Sequence, residues 1–506
     1  MPSISRRHFL HGSALAAAAS QLPGQLPSHL PGQLSAFPRS PLWQPNNELR
    51  VACVGVRSRG QNHIQGLSKL PNVKVVAVVD VDRDVLAREE EAFAKGKYGE
   101  AAKIDTYTDL RRVLDRDDID AISVATPNHW HALQAIWACQ AGKDVYLEKP
   151  VSHNVWEGGQ IVKAARQYKR IVQTGTQSRS SHGIARGIEY IASGKLGKIE
   201  LARGLCYKPR SSIGKVKGPQ TPPASVDYDL WCGPASNAPL QRRSLHYDWH
   251  WVHETGNGDV GNQGIHQMDI ARWALGQKLL PSRTLSFGGR VGYDDDGNTP
   301  NTQIVFHEFA EGPPLLFEVR GLPRSKKGQQ TWRKSMDNYR GARIGVIVHC
   351  ENGFLRIPDY NRAIAFDKDG KEIERFAGSS NHYENFVAAV RSRKTTDLHA
   401  DIYEGHLSSA MCHMGNVSHL LGAPASQRDL DTAAQKNPWT AEAWQRMHTH
   451  LAKNEVDTAA MDDPTQAIVL GRQVAMDPES ERFVDDDANR LLKRNYRKGF
   501  VVPETV

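Results

Sequence analysis

The feature that most constrains the fold of this 506-residue chain is an alternation of short apolar runs with amphipathic segments between residues 48 and 176. The apolar runs are rich in β-branched residues and end at turns, and the segments between them have helical spacing. Apolar strands that alternate with helices form parallel sheets covered on both faces. The sequence therefore predicts an N-terminal doubly wound α/β domain. Its strands are predicted at residues 49–56, 73–81, 121–126, 144–147 and 171–174.

The pattern changes after residue 176. Residues 178–260 are rich in Gly, Pro and aromatic residues, with one predicted helix near residues 182–194, and a second helix is predicted at residues 263–275. Period-two strands follow, and the dipeptides Asn352-Gly353 and Asp369-Gly370 favour tight hairpins because they accept positive φ. Residues 177–421 therefore predict an α+β domain with an open, mostly antiparallel sheet, and residues 422–506 a helical, polar surface extension. The strands are predicted at residues 302–309, 315–320, 343–350 and 354–357.

The first 47 residues are not expected to belong to either domain. Arg6 and Arg7 precede Phe9-Leu10 and an Ala-rich run, so residues 1–20 predict a signal for the twin-arginine translocation machinery. This run is shorter than the ~20 apolar residues that span a bilayer, so no membrane span is expected. Residues 21–47 repeat Leu-Pro-Gly-Gln-Leu among other prolines and predict a linker. We expect export to a periplasmic or extracytoplasmic location.

Charge distribution and cysteine spacing argue against a nucleic-acid partner and against a metal site. The net charge is +8, but the Lys and Arg residues are interspersed with acids, without the basic runs and interleaved aromatics that nucleic-acid binding needs. We therefore expect no nucleic-acid partner. The six cysteines include no C-x-x-C pair, so no metal site is predicted.

A glycine-containing loop follows the first predicted strand and opens a helix. In the run from Gly55 to Gly60, the first glycine suits a tight turn and the last suits close packing of helix on strand. Asp80 stands at the end of the second strand, where an acid binds the adenosine ribose and repels a 2′-phosphate. The loop thus predicts NAD, although arginines at 57, 59 and 83 leave NADP possible; the alternative is a turn that binds nothing. The predicted contacts are Gly55, Arg57, Ser58, Arg59, Gly60 and Asp80, with Arg57 in place of the usual middle glycine.

Two more motifs follow strand ends. They are the run of residues 125–131 and the triplet Glu148-Lys149-Pro150. Ligands of open α/β sheets bind at the carboxyl edge of the strands, and a lysine there can bind a substrate hydroxyl and help to move its proton. The alternative for the lysine is an ordinary surface position. The expected nucleotide contacts at this edge are Thr126, Asn128, His131, Glu148 and Lys149.

Taken together, these motifs resemble the Gfo/Idh/MocA family, named for glucose-fructose oxidoreductase and inositol dehydrogenase. The resemblance also includes residues 173–177 and residues 261–269 running into Trp273, and it covers residues 49–422. It implies a Rossmann domain, a second domain with an open sheet that often pairs between subunits, and redox chemistry at a ring carbon of a sugar or cyclitol. A homo-oligomer is therefore expected. By position it implies Lys149 as a proton-relay lysine, His266 as the acid/base histidine and Asp269 as a supporting acid.

Spacing on the predicted helix is consistent with these roles. His266, Asp269 and Trp273 stand at i, i+3 and i+7 and share one helical face. Histidine suits a proton transfer because its pKa is near neutral. The alternative is that His266 and Asp269 merely hydrogen-bond each other or a helix cap. One departure is Asn262, four residues before the histidine, where sugar dehydrogenases of this family commonly have an acid; Asp259 is a nearby substitute.

Three functions follow from these motifs. The first is hydride transfer between a tightly held NAD and a carbohydrate hydroxyl, and the second is a redox-neutral glycosidase that oxidises its sugar transiently. The third is an inactive sugar-binding protein. Aromatic residues between 228 and 253 suit the faces of a pyranose ring, with interdomain packing as the alternative. The expected substrate contacts are Gln177, Arg179, Trp231, Asn262 and His266.

Overall fold

The computed structural model describes residues 48–506. The predicted export signal at residues 1–20 and the predicted linker at residues 21–47 lie outside the described residues. Within the described residues, no helix is both long and apolar enough to cross a bilayer. The six cysteines all lie within the described residues and are buried free thiols.

The N-terminal sheet has six parallel strands in the order β3-β2-β1-β4-β5-β6. Side chains of the central strand β1 alternate between the two faces, with Val51 and Cys53 on one side and Ala52 and Val54 on the other. Because both faces of the sheet are buried, its strands are continuous apolar runs in the sequence. The predicted doubly wound fold is confirmed. Its strands are β1 Leu49–Val54, β2 Val73–Val79, β3 Asp105–Tyr107, β4 Ala121–Val124, β5 Asp144–Leu147 and β6 Val172–Thr174, and its helices are α1 Arg59–Ser68, α2 Arg83–Ala94, α3 Leu110–Leu114, α4 His131–Gln140 and α5 Val155–Gln167.

The second sheet has twelve strands and is mostly antiparallel, as predicted. The hairpins at Asn352-Gly353 and Asp369-Gly370 are confirmed. Its strands are β7 Ile199–Tyr207, β8 Arg283–Gly289, β9 Thr302–Glu308, β10 Leu315–Arg320, β11 Ile344–Cys350, β12 Gly353–Ile357, β13 Arg362–Asp367, β14 Glu372–Ala377, β15 Ala423–Pro424, β16 Val469–Leu470, β17 Val474–Asp477 and β18 Arg482–Phe483. The remaining helices are α6 His182–Ala192, α7 Tyr228–Cys232, α8 Leu245–Asp248, α9 Gly258–Asn262, α10 Gly264–Ala274, α11 His382–Ser392, α12 Ile402–Leu420, α13 Gln427–Ala434, α14 Pro438–Ala452 and α15 Asp486–Arg490.

The sequence did not predict the central strand β7, which pairs in parallel with β10 and antiparallel with β11. It contains Arg203, which is fully buried and donates to the carboxylate of Glu318 on β10 at 2.9 Å. In a sequence, a charged residue indicates an exposed position unless its ion-pair partner is known. Because Arg203 is paired with Glu318 inside the core, the sequence pattern of β7 did not indicate a core strand.

Helices cover the second sheet on one face and the C-terminal part of the chain covers it on the other. Residues of α10 and α12, such as Met268 and Met411, pack on the inner face. On the outer face, Trp444 and Met447 of α14 pack against Phe287 and Leu316, and the segment that includes Met336 covers the strands β11 to β13. The prediction that residues 422–506 form a surface appendage is therefore wrong. These elements cover the outer face of the second sheet, and the expected homo-oligomer stays a prediction.

Candidate active site

The loop between β1 and α1 has the close approach that a dinucleotide loop requires. Gly55 has a φ of +74°, and a Cβ there would lie 2.7 Å from the backbone nitrogen of Thr126. A Cβ on Gly60 would lie 1.9 Å from the carbonyl oxygen of Gly55, so both positions require glycine. Arg57 and Ser58 are exposed at the tip of the loop. The N-terminus of α1 thus faces the sheet edge at which dinucleotide folds hold a pyrophosphate.

Asp80 lies just beyond the carboxyl end of β2 and is held by two backbone N–H groups. Val56 donates to its Oδ2 at 3.0 Å, and Asp82 donates to its Oδ1 at 3.1 Å. Burial raises the pKa of Asp80 to about 6, although these hydrogen bonds and the charge of Arg57 oppose the shift. Each carboxylate oxygen keeps acceptor capacity for a ribose hydroxyl. The glycine cradle and this carboxylate together fit the adenosine half of NAD.

Glu148 organises the carboxyl edge of β5. Arg59 donates to its Oε1 at 2.6 Å, and the Nε2 of His63 lies 3.1 Å from the same oxygen. Gln177, which was expected to contact substrate, donates to this oxygen at 3.4 Å and to the hydroxyl of Tyr146 at 3.3 Å. Burial alone raises the pKa of Glu148, but Arg59 and His63 outweigh it and hold the pKa well below its usual value. Glu148 is therefore an anion that fixes Arg59 beside the nucleotide loop.

A cavity opens at the carboxyl edge of the first sheet and is closed by residues of the second domain. It brings together seven of the predicted site residues with others from the loop before α10. Asn128 donates to the side chain of Asn257 on the opposite wall. The ring nitrogens of His131 lie 2.6 Å from the carbonyl oxygen of Pro150 and 2.8 Å from that of Thr126, so His131 ties the two strand-end motifs together. The lining residues are Arg59, Ala125, Thr126, Asn128, His131, Glu148, Lys149, Pro150, Trp249, His250, Asn257 and Asn262.

Lys149 and His266 are the groups at this site that suit proton transfer. The ammonium of Lys149 donates to the backbone carbonyl of Asn262 at 2.9 Å, which leaves two of its N–H donors for other oxygens. Burial lowers the pKa of Lys149 below its usual value, although Glu148 opposes the shift. Burial, followed by the charge of Lys149, holds the pKa of His266 well below its usual value. His266 is not among the residues that line the cavity, but its helix α10 begins two residues after Asn262, whose carbonyl Lys149 binds.

The surroundings of His266 leave one of its nitrogens unused. Its Nδ1 is buried without a hydrogen-bond partner in the protein. The ring packs against Tyr360 with a centroid separation of 5.2 Å, and the Tyr360 hydroxyl accepts a hydrogen bond from Gln263 at 2.7 Å. Tyr360 is 39% exposed and was not predicted, because it lies on the turn between β12 and β13, ninety-four residues from His266 in sequence.

Asp269 and Arg179 bind each other. The guanidinium of Arg179 donates to both carboxylate oxygens of Asp269 at 2.9 and 2.8 Å, and Ser408 donates to the same carboxylate at 2.7 Å. The two side chains are 1% and 6% exposed, and neither lines the cavity. This buried ion pair joins the end of the first domain to α10 and α12. It holds α10, and with it His266, in place; direct roles in catalysis or substrate contact stay predictions.

The aromatic segment between residues 228 and 253 divides into a packed part and a part that faces the cavity. Trp231 is 4% exposed, stacks on Tyr228 and carries the guanidinium of Arg242 over its ring at 5.0 Å. Trp249 and His250 stack with a centroid separation of 3.7 Å and line the cavity. Trp231 therefore fits the interdomain-packing alternative, and Trp249 is the aromatic side chain placed to meet a ring.

Two further residues near the site are Asp259, which was predicted, and Asn257, which was not. Asp259, the possible substitute for the missing acid at Asn262, is buried and binds Arg210 through both oxygens at 2.8 and 2.7 Å. Asn257, which sequence reasoning missed, lies in a loop without periodicity and is recognisable only from the fold. In the part of the chain that the structure describes, no group of His, Cys, Asp or Glu is arranged to hold a metal ion.

Comparison with known proteins agrees with this geometry. Residues 49–176 match the model of the Gfo/Idh/MocA oxidoreductase family, described as having an NAD-binding Rossmann fold. A glycosyl hydrolase family 109 protein of Shewanella pealeana is 32% identical over 180 residues, which is 33% of this chain and 38% of that protein. An alpha-N-acetylgalactosaminidase of Shewanella oneidensis is 33% identical over 178 residues, 34% of this chain and 39% of the relative. The alignments thus span well under half of these relatives.

A solved structure resembles a larger part of the chain. The WlbA dehydrogenase of Bordetella pertussis, crystallised with NADH and UDP-GlcNAcA, superposes with a TM-score of 0.52 at 18% identity and covers 73% of this chain and 95% of that one. The shared fold therefore extends from the first domain into the second. The class of protein is an α/β protein with an NAD-binding Rossmann fold. Its residues 49–176 are similar to the Gfo/Idh/MocA oxidoreductase family.

Proposed function

We propose that this chain is an oxidoreductase of the Gfo/Idh/MocA family that exchanges a hydride between NAD and a ring hydroxyl of a carbohydrate. The observation that carries the proposal is Lys149, which lines the cavity at the carboxyl edge of the nucleotide-binding sheet and donates to Asn262, four residues before His266 in the chain. A secondary alcohol loses a proton from oxygen and a hydride from carbon when it becomes a ketone. The site supplies a proton acceptor for the first, and a bound nicotinamide supplies the acceptor for the second.

The residues of the chain divide this work between them. Lys149 can donate to the substrate oxygen with the N–H groups that Asn262 leaves free, which stabilises negative charge as the hydroxyl proton leaves. The neutral imidazole of His266 is the acceptor for that proton. Trp249 offers a ring face to the sugar. In the reverse direction the same imidazole, once protonated, returns the proton to the oxygen.

For the nucleotide we propose retained NAD rather than NADP. Two backbone N–H groups anchor Asp80 just beyond the end of β2, where dinucleotide folds carry the acid that binds a ribose hydroxyl, and a carboxylate there disfavours a 2′-phosphate. Denaturing the purified protein and analysing the released small molecules by mass spectrometry should give NAD. Recovery of NADP would contradict this assignment and give Arg57 and its neighbours the dominant role.

The second candidate function is redox-neutral cleavage of a glycoside through transient oxidation of its sugar. The names of the Shewanella relatives favour it, although their similarity is limited to about a third of this chain. Purified protein without added nucleotide should be incubated with a panel of p-nitrophenyl glycosides, and free sugars should be assayed in parallel with excess NAD. Nitrophenol release would identify a glycosidase, and reduction of NAD would identify a net dehydrogenase. No turnover in either assay would contradict both and favour a sugar-binding protein.

We also propose that the chain is exported by the twin-arginine route. Arg6, Arg7 and the following apolar run support this proposal, and a nucleotide held tightly enough to be carried out with the folded protein would agree with it. Changing both arginines to lysine should leave the precursor in the cytoplasm. Unchanged export of the double variant would contradict the proposal.

A further inference from the structure

A second cavity, of about 320 Å³, shares Asn257 with the candidate active site but is otherwise walled by different residues. Its wall is formed by residues from within the segments 153–154, 253–257, 413–420 and 490–495, and we call it the C-terminal cavity. Its volume lies within the range of small-molecule sites, ~300–1,000 Å³. The proposed hydride transfer assigns no role to it.

Arg494 brings a positive charge into this wall and uses only part of its hydrogen-bonding capacity. Its side chain is 10% exposed. Its Nη2 donates to the backbone carbonyl of Glu254 at 2.8 Å and to the Glu254 carboxylate. Its Nε and Nη1 are buried without an acceptor in the protein. Buried guanidinium donors without acceptors are costly, and their fork geometry matches a carboxylate.

Asn154 adds a neutral donor to the same wall. Its Oδ1 accepts a hydrogen bond from the backbone nitrogen of Glu157 at 2.9 Å, which fixes the orientation of the amide. The Nδ2 is therefore the remaining atom, and it is buried without an acceptor in the protein. Among the charged wall residues, Arg490 pairs with Asp487, Lys493 with Glu504 and Arg494 with Glu254, so the Nε and Nη1 groups of Arg494 are the charged donors left for an anion. The wall favours an anion over a cation.

Two histidines supply acceptors. The Nε2 of His153 donates to the backbone carbonyl of His253 at 2.7 Å. The Nε2 of His413 lies 3.4 Å from the hydroxyl oxygen of Ser152, whose own proton is donated to the carbonyl of Asn154. In a neutral imidazole the second nitrogen is then an acceptor, and the Nδ1 of His413 is buried without a donor. Burial holds the pKa of His413 at about 3 and, with the charge of Arg494, that of His153 well below its usual value, so both rings are neutral.

We propose that the C-terminal cavity binds a hydroxylated carboxylic acid of monosaccharide size, with its carboxylate on Arg494 and Asn154 and its hydroxyl groups on the imidazoles of His153 and His413. A bare oxyanion would leave the imidazole acceptors without donors. A neutral sugar would leave the Nε and Nη1 donors of Arg494 without a charged acceptor, since the salt bridge to Glu254 engages Nη2 alone. The proposal does not depend on the reaction at the candidate active site, because only Asn257 is common to the two cavities.

Isothermal titration calorimetry on the full chain, as purified, tests this proposal. D-glucuronate and D-galacturonate are the probes, with D-glucose as the uncharged match and sulfate as the anion without hydroxyl groups. At least one uronate should bind more tightly than glucose and sulfate do. Equal binding of glucose or of sulfate, or no binding of either uronate, would overturn the proposal.

The position of binding is tested separately. Arg494→Gln should weaken uronate binding about 10- to 100-fold, because a charge-assisted pair is lost. Arg497→Gln is the matched control, since Arg497 lies three residues further along the same segment and binds Asp229 outside the cavity. A crystal of the unmodified protein soaked with the uronate gives an answer even if Arg494→Gln does not fold. Density for the carboxylate at Arg494 supports the proposal, and density only at Lys149 and His266 overturns it.

Discussion

At the residue scale, replacing His266 or Lys149 should impair the reaction without unfolding the protein. Positioned acid/base groups contribute ~10²–10⁴-fold in rate. We expect His266→Ala and Lys149→Ala each to lower turnover within that range while the nucleotide stays bound, because neither side chain lies in the glycine loop. Turnover on the best substrate and the nucleotide content of each variant are the measurements.

Exposed residues of the same types provide the controls. His182 begins α6 at the surface and Lys163 is exposed on α5, so His182→Ala and Lys163→Ala should leave turnover unchanged. If His266→Ala retains near-normal turnover, the proton passes through another group and the assignment of His266 is wrong. Loss of nucleotide from Lys149→Ala would instead assign Lys149 to nucleotide binding.

The electrostatics of His266 predict the pH dependence of the reaction. Its pKa is held well below the usual value by burial, and the charges of Lys149 and Lys208 add to the shift. A base must be unprotonated to accept a proton, so oxidation should keep its full rate at pH 6.5 and decline only as the pH falls through the lowered pKa. Lys208→Met removes one of the charges and should move this acid limb of kcat/KM to higher pH.

Lys198→Met, at an exposed position, is the control for the pH profile. An acid limb that stays in place in Lys208→Met, as it should in Lys198→Met, would show that a group other than His266 controls it. The comparison needs kcat/KM rather than kcat, because kcat/KM reports the free enzyme.

Site residues could be predicted from the sequence where they directly follow a strand of the first sheet. Glu148 and Lys149 follow β5 and Thr126 follows β4, and in a parallel sheet such residues meet at one edge, so their approach could be predicted. Trp249 and His250 lie in a short 3-10 helix and Asn257 in a loop, and the path of both depends on tertiary packing, so no spacing predicts that they face the cavity. Arg179 and Trp231 are polar or amphipathic side chains whose partners, Asp269 and Tyr228, become apparent only in the fold.

At the scale of elements, the helix α14 closes the outer face of the second sheet. Trp444 is 3% exposed, packs against Phe287 and donates to Asp431 at 2.7 Å. Replacing a buried Trp by Ala costs ~3–5 kcal/mol. Trp444→Ala should lower the free energy of unfolding by about that amount in denaturant titrations. Gln445→Ala, the exposed neighbour, should change it little, and equal stability of the two variants would mean that α14 does not contribute to the core.

The helix α14 also explains why the sequence predicted a polar extension after residue 421. A helix that buries one narrow stripe has a mostly polar sequence, and α14 buries Ala443, Trp444, Met447 and Leu451 on one side. Its spacing is helical, but spacing alone does not say which surface a helix covers. The sheet face beneath it, where Arg203 lies within β7, was itself not recognised as core.

At the scale of the whole molecule, the last residues of the chain return to the first domain. Tyr496 donates to Glu157 on α5 at 3.0 Å. Phe500, Val502 and Val506 belong to the same buried cluster as the strands β1 and β4. The nucleotide-binding domain is therefore completed by residues far from it in sequence, so the domain boundary at residue 176 does not delimit its core.

Phe500 connects the C-terminal segment to the candidate active site, because its ring packs against Trp130. It is 7% exposed, and its ring meets that of Trp130 edge-on at a centroid separation of 5.5 Å. Trp130 stands between Asn128 and His131, which line the cavity. Phe500→Ala should cost ~3–5 kcal/mol of unfolding free energy, as for other buried Phe residues, and should weaken nucleotide retention by loosening the strand-end loop. Val501→Ala is the matched control, because Val501 is 53% exposed and adjacent in the chain. The measurements are denaturant unfolding and the nucleotide content after gel filtration. Equal stability and nucleotide content in the two variants would show that the C-terminal segment does not support the loop.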